Sequence, residues 1–209
     1  QALSPFLHGA VLEVGPGAFP RAETDRTTYL EPVPEAARAL RTRGHRCPEG
    51  HMERMPFGDA AFDTVLAFDV LEHCEDDVAA LAEVRRVLRL EGHFVVSVPL
   101  HTRYWSELDR VVVHTFRYDP SVLLRRLDVQ GFVPLKAVIY RPLHPQLKRI
   151  GDRLILACLH HLGTRRATAA KAHLMRWLPS WMKRARFAPF TGVVPPDANA
   201  ITLVCRRER

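Results

Sequence analysis

The residues of this chain that could do chemistry are a set of acids and histidines placed at the ends of apolar runs. Glu13 sits inside Val11-Leu12-Glu13-Val14, which stops at Gly15-Pro16-Gly17. Glu31 ends the run Thr27-Thr28-Tyr29-Leu30, and Asp69 ends Thr64-Val65-Leu66-Ala67-Phe68. Glycine lacks a Cβ, so the main chain at Gly15 and Gly17 can turn tightly and a ligand can lie against it. Carboxylates grouped there suit a ligand that carries positive charge or hydroxyl groups. His73, His101 and His114 each follow such a run, and histidine is the side chain best placed to take a proton near neutral pH. Any of the three is a candidate general base, and each reads equally as a surface histidine.

The glycine turn limits the ligand. A strand followed by Gly-x-Gly is, on its own, as consistent with an ordinary strand-to-loop turn as with a nucleotide site. The third glycine of a dinucleotide motif is missing, and Phe19-Pro20 stands where a helix should begin. That disfavours a pyrophosphate on a helix N-terminus and suits a nucleoside without phosphates. In an open α/β sheet such a ligand lies at the carboxyl ends of the strands. There an acid ending the second strand can take both ribose hydroxyls. Glu31 has that position.

The elements that must position these side chains follow from periodicity. Thr64 to Phe68 is continuously apolar, as for a parallel strand covered on both faces. Asp76 and Asp77 open an amphipathic helix with Val78, Leu81, Val84 and Leu88 on its stripe and Gly92 after its end. Phe94 to Val98 is a further strand stopped by Pro99. Asp119-Pro120 caps a helix closed by Gly131, Leu135 to Tyr140 is another strand, and Ala200 to Cys205 is the last. Glu35 to Arg41 reads as a helix closed by Gly44. The short, proline-broken stretch after Gly17 leaves room for a loop in place of the first helix. Strands alternating with helices imply a parallel sheet covered on both faces.

Composition narrows the class. The chain has 209 residues, 47% hydrophobic and 25% charged, with a net charge of +7, as in a globular domain with one appendage. No apolar run is long enough to cross a bilayer, and no secretory leader is read. Cys47, Cys74, Cys158 and Cys205 are scattered without zinc-ligand spacing, so free thiols in a reducing cytoplasm are expected. The positive charge permits nucleic acid, anionic lipid or acidic partners without choosing among them.

Several blocks in order carry a family resemblance. They are Leu12-Glu-Val-Gly-Pro-Gly, Tyr29-Leu-Glu, Met55-Pro-Phe-Gly-Asp-Ala-Ala-Phe-Asp-Thr-Val, Asp69-Val-Leu-Glu-His, Glu83-Val-Arg-Arg-Val-Leu through Pro99, and His114-Thr-Phe-Arg-Tyr-Asp-Pro. In these the chain resembles the class I S-adenosylmethionine-dependent methyltransferases, in their type 11 branch. The resemblance implies a Rossmann-like α/β fold: a seven-stranded mixed sheet, the last strand antiparallel, with helices on both faces. It implies S-adenosyl-L-methionine as cofactor and S-adenosyl-L-homocysteine as product. By position, Glu13, Gly15 and Gly17 match the segment that holds the methionine part, and Glu31 matches the ribose-binding acid. Met52 and Glu53 match the adenine loop, where His51 replaces the usual Asp, and Asp69 matches the strand end beside the methyl group. Asp69-x-x-Glu72-His73 also resembles the metal motif of small-RNA 3′-end methyltransferases, which His101 or His114 would complete. Leu-Glu-His is commonplace at this point in metal-free type 11 enzymes, so no metal is expected.

Three regions follow: a cofactor-binding core over 1–140, an insertion over 141–199, and the last strand with a basic tail over 200–209. The insertion should leave the sheet at its carboxyl edge, above the cofactor, as a helical lid or acceptor-binding cap. Its basic side chains, Lys148 to Arg186, are opposed only by Asp152. A basic amphipathic helix with tryptophan can contact an anionic membrane or a lipid-linked acceptor, here through 145–186, or simply pack on the sheet with its arginines solvated. The expected reaction is methyl transfer to a small-molecule acceptor. The alternatives are an RNA methyltransferase that uses the basic insertion, and a non-catalytic protein that keeps the cofactor fold.

Overall fold

The computed structural model describes residues 3–17, 20–111, 114–141 and 187–208. Seven strands form one sheet. They are β1 (Val11–Val14), β2 (Thr27–Leu30), β3 (Phe62–Phe68), β4 (Leu88–Pro99), β5 (Phe132–Tyr140), β6 (Ala188–Pro189) and β7 (Ala200–Arg207). Their order across the sheet is β2-β1-β3-β4-β7-β5-β6. β1 to β4 run parallel, while β7 is antiparallel to both β4 and β5. β5 therefore points the same way as β1 to β4, and the expected mixed Rossmann-like sheet with an antiparallel last strand is present. All four residues of β1 and of β2 are buried, Glu13, Thr27 and Thr28 included, as in strands covered on both faces.

The α-helices among the described residues are α1 (Pro34–Thr42), α2 (Asp77–Val87), α3 (Glu107–Val111) and α4 (Pro120–Val129). Local chemistry fixes their starts. Asp76 accepts hydrogen bonds from the Val78 and Ala79 amides at 3.0 and 2.9 Å, and Asp119 accepts from the Ser121 amide at 2.8 Å. Each satisfies amides that a helix start leaves orphaned. Leu81 and Val84 of α2 and Leu123 and Leu127 of α4 join Leu12, Val65, Phe94 and Leu203 in the main core. Between Gly17 and β2 no helix occurs among the described residues, in line with the proline-broken sequence.

Three details depart from the sequence reading. First, α2 stops at Val87, not beyond Leu88, whose ψ of 139° is already that of a strand. Gly92 is not a helix cap. It lies in β4, where the pairing with β3 jumps from Phe62–Leu88 to Thr64–His93. A Cβ on Gly92 would stand 2.8 Å from the Arg89 carbonyl oxygen and 2.9 Å from that of Asp63. The glycine permits a close backbone approach in an irregular stretch of strand. Second, β6 was not foreseen. Ala188 and Pro189 pair antiparallel with Ala137 and Lys136, at the end of the stretch read as a helical cap. Third, residues 187–199 contain no helix; the expected helices of 142–186 lie outside the described residues.

No helix among the described residues is long and apolar enough to cross a membrane.

Candidate active site

The carboxyl ends of β1, β2 and β3 bring the predicted glycines and acids to one edge. Gly15 and Gly17 both adopt positive φ, 61° and 59°. That backbone is strained for residues with a side chain, so the sequence's two glycines are what allow the turn. The Gly15 amide donates to the Leu30 carbonyl at 2.8 Å, which draws the turn against the end of β2. A Cβ on Gly15 would lie 2.7 Å from Val70, directly after β3, whereas a Cβ on Gly17 would meet nothing within 4 Å. One glycine packs the turn against the sheet; the other borders open space.

Glu31, 3% exposed, closes the turn. One carboxylate oxygen accepts from the Gly17 amide at 2.9 Å and the other from the Val33 amide at 3.1 Å. Each oxygen keeps a second lone pair for a ligand hydroxyl. Glu13 is equally buried but faces inward. Its carboxylate accepts from the Arg21 amide, at 2.9 and 3.0 Å to its two oxygens, and from the Ala22 amide at 2.9 Å. It therefore ties down the loop that follows the glycine turn. Burial raises its pKa, and those backbone hydrogen bonds oppose the rise.

Asp69 is exposed at the end of β3, with φ of 55°. The Ser97 hydroxyl donates to it at 2.7 Å, and the Arg21 guanidinium lies 3.7 Å from its other oxygen and 4.5 Å above the Phe68 ring. Met52 is 2% exposed and belongs to the core. Glu53 accepts from the Glu75 amide at 3.1 Å.

The histidines divide. His73 and His114 stack edge to face at 4.9 Å, whereas His101, beyond the end of β4, packs on Tyr104 at 6.2 Å. Burial lowers the His101 pKa, and its Nε2 is buried without a hydrogen-bond partner. His114 is held firmly: its Nδ1 lies 2.9 Å from Asp109, which is 2% exposed. Asp109 also accepts from Arg117 at 2.9 and 3.1 Å and from the Ser106 amide at 2.7 Å, and these contacts hold its pKa below the usual carboxylate range against the effect of burial. The other ring nitrogen, Nε2, stands 3.6 Å from Glu72. Glu72 has no exposed surface, neither of its oxygens has a hydrogen-bond partner, and burial with the nearby Asp69 charge pushes its pKa up to about 9.

Sequence reading placed the glycines, Glu31 and Asp69 on this edge. It missed Ser97, Arg21, Asp109 and Arg117. Ser97 and Arg117 lie within the blocks quoted above and Arg21 and Asp109 in none, but no motif shows that Ser97 and Arg21 meet Asp69 or that Arg117 meets Asp109. Cavity size does not single out the cleft either: a groove of about 810 Å³ lies at the opposite edge of the sheet, lined by residues such as Ala10, Thr27 and Phe62 that begin the strands. The chemistry distinguishes the carboxyl edge, because among the described residues the glycine turn meets Glu31 and Asp69 there.

Comparisons with known proteins add a likeness of sequence and of fold. Residues 12–96 match the family model described as a methyltransferase domain. That span contains the glycine turn, Glu31, Asp69 and Glu72. Over that span, less than half of the chain, the sequence is similar to methyltransferase domains. A Mycolicibacterium smegmatis protein named "Probable S-adenosylmethionine-dependent methyltransferase" is 33% identical over 85 residues, 40% of this chain and 33% of its own length. The chain spans about a third of the length of the curated relatives it matches. Among solved structures, an S-adenosylmethionine-dependent methyltransferase of Thermotoga maritima superposes with a TM-score of 0.65 at 18% identity, covering 100% of this chain and 86% of that one. The cyclase SpnF superposes almost as well, with a TM-score of 0.62 at 20% identity over 96% of this chain and 76% of its own. The chain thus shares its fold both with a methyltransferase and with a protein named for a different reaction, and the site must carry the functional argument.

Proposed function

We propose that this chain binds S-adenosyl-L-methionine at the carboxyl edge of β1 to β3 and directs its methyl group to a small-molecule acceptor. The observation that carries the reading is the Gly15–Gly17 turn bonded to the buried Glu31 carboxylate. It combines an accessible backbone, open space at Gly17 and an acid with unused lone pairs at the end of the second strand. These residues fit the cofactor: Glu31 would take the ribose hydroxyls and the glycine turn would lie along the methionine part. Asp69 would border the methyl group, and Met52 and Glu53 would flank the adenine from their loop. Glu13 would serve by fixing the loop. When bound, the cofactor supplies a reactive sulfonium methyl group.

What the chain supplies is alignment and charge. Displacement at a methyl carbon requires the acceptor atom in line with the departing sulfur, and a fixed geometry removes much of that entropic cost. Carboxylates on the edge favour a cationic ligand over its neutral product. Where the acceptor must lose a proton, His114 is better placed as base than His101: Asp109 orients its ring, leaving Nε2 toward the interior of the cluster. His73, stacked on it, is the neighbouring candidate. Free buried thiols at Cys47, Cys74 and Cys205 support a cytoplasmic enzyme.

The test is calorimetric titration of the chain with S-adenosylhomocysteine, followed by transfer of labelled methyl groups to a panel of small acceptors. Saturable binding with one site supports the reading. A folded protein that binds neither cofactor nor product sinks it and leaves a scaffold that kept the fold alone.

A further inference from the structure

From the geometry around Glu72 we infer a divalent metal site that the sequence reading set aside, formed by Glu72, His73 and His114. Their ligand atoms all lie within 4.8 Å of one another. Among the described residues, Glu72 is the carboxylate with both oxygens buried and without hydrogen-bond partners. Such a group is costly to bury unless something compensates it. The His114 Nε2 stands 3.6 Å from Glu72, too far for a hydrogen bond. Two ligands of one ion, each bonded at about 2.1 Å, span that separation comfortably.

The surroundings prepare these atoms for an ion. His114 turns its Nδ1 to the buried Asp109 at 2.9 Å, and Asp109 is fixed by Arg117 at 2.9 and 3.1 Å and by the Ser106 amide at 2.7 Å. A carboxylate on one ring nitrogen sets the tautomer that leaves the other as an electron-pair donor, which is how metal-binding histidines are usually held. On the opposite side, the Thr115 amide and hydroxyl both bond the Glu72 carbonyl, which pins the loop carrying His114 to the segment carrying Glu72 and His73. Asp69 is not among the ligands, because Ser97 and Arg21 engage its carboxylate.

One carboxylate and two imidazoles suit a first-row ion of intermediate softness such as Zn²⁺ more than Mg²⁺ or Ca²⁺, which prefer all-oxygen sets. Three protein ligands leave the remaining positions to water or to an oxygen of a bound substrate. With an ion bound, His73 and His114 serve as its ligands and not as bases; the site does not depend on the cofactor reading, and its test uses metal alone.

The chelator-treated chain is titrated with Zn²⁺ in a calorimeter and with Co²⁺ followed by visible absorption. The expected result is one equivalent bound, with Zn²⁺ displacing the Co²⁺ spectrum. Glu72→Gln and His73→Ala should each weaken binding by more than the roughly 10- to 100-fold typical of losing an outer-shell partner. His73 is exposed, so its replacement leaves the core intact and keeps the test readable even where Glu72→Gln disturbs folding. His8→Ala, a histidine that contacts His93 instead, should leave binding unchanged. No saturable binding to the folded parent overturns the inference. So does stoichiometric binding that survives both Glu72→Gln and His73→Ala.

Discussion

Replacing Glu31 separates a cofactor site from an ordinary strand end. The carboxylate is 3% exposed and makes two hydrogen bonds to backbone amides, Gly17 at 2.9 Å and Val33 at 3.1 Å. If it also accepts from two ribose hydroxyls, Glu31→Ala removes two further charge-assisted bonds, each contributing about 1.5–3 kcal/mol. Desolvation offsets part of that sum, and a net loss of about 3 kcal/mol corresponds to a roughly 100-fold weaker Kd. Glu31→Gln keeps one acceptor oxygen and the shape of the side chain, so its loss should be closer to about 10-fold. The assay is calorimetry with S-adenosylhomocysteine on the parent and both variants, with thermal unfolding as a control for the turn itself. The order parent, Gln, Ala in affinity, with all three folded, is the expected result. A folded Glu31→Ala protein that binds the product within about threefold of the parent refutes the reasoning, because a carboxylate at that position would then hold only its own backbone.

Three further predictions concern the frame around the cleft. Glu72 keeps its proton to about pH 9 in the fold, against an ordinary carboxylate value of 4.5 when unfolded. The folded state therefore binds more protons in that window, and stability falls as pH rises. In chelator-treated protein, urea unfolding of the parent should lose about 2–3 kcal/mol relative to Glu72→Gln between pH 6 and 8; parallel pH profiles would show that Glu72 is charged in the fold. Asp109→Asn strands Arg117, whose side chain is 7% exposed, and should cost about 3–5 kcal/mol by denaturant titration. The double variant with Arg117→Met should recover part of that loss, and additive effects would refute the coupling. Gly92→Ala drives a methyl group to within 3 Å of two carbonyl oxygens and should destabilise by about 2–4 kcal/mol, measured as a shift in urea midpoint. An unchanged midpoint would mean that β4 relaxes freely there.

Much of the frame was legible because its causes are local. A continuous apolar run such as Val65 to Phe68 has few stable fates other than a covered strand. Asp76 and Asp119 cap helices with side chains only two or three residues from the amides they satisfy. Gly15 and Gly17 announce a turn that few other residues could make. The same locality allowed Glu31 and Asp69 to be placed at strand ends, since parallel strands bring their carboxyl ends to one side.

The tertiary structure alone decided what depends on partners distant in the chain. Gly92 looked like a helix stop, because the sequence does not show that the Asp63 carbonyl would press against it. β6 consists of two residues and exists only because β5 offers Lys136 and Ala137 as an edge to pair with. Glu72 was read as part of a commonplace Leu-Glu-His. Thr115 bonds its backbone carbonyl while no described residue bonds its carboxylate, and neither fact can be read from its neighbours in sequence. His114 and Arg117 share a sequence block, but their link through Asp109, which lies outside that block, is made only by the folding of the loop. Local propensity fixes which segments become strands, turns and caps, because those energies act over a few residues. Burial, desolvation and the pairing of charges are properties of the assembled interior, and they set the chemistry of this cleft.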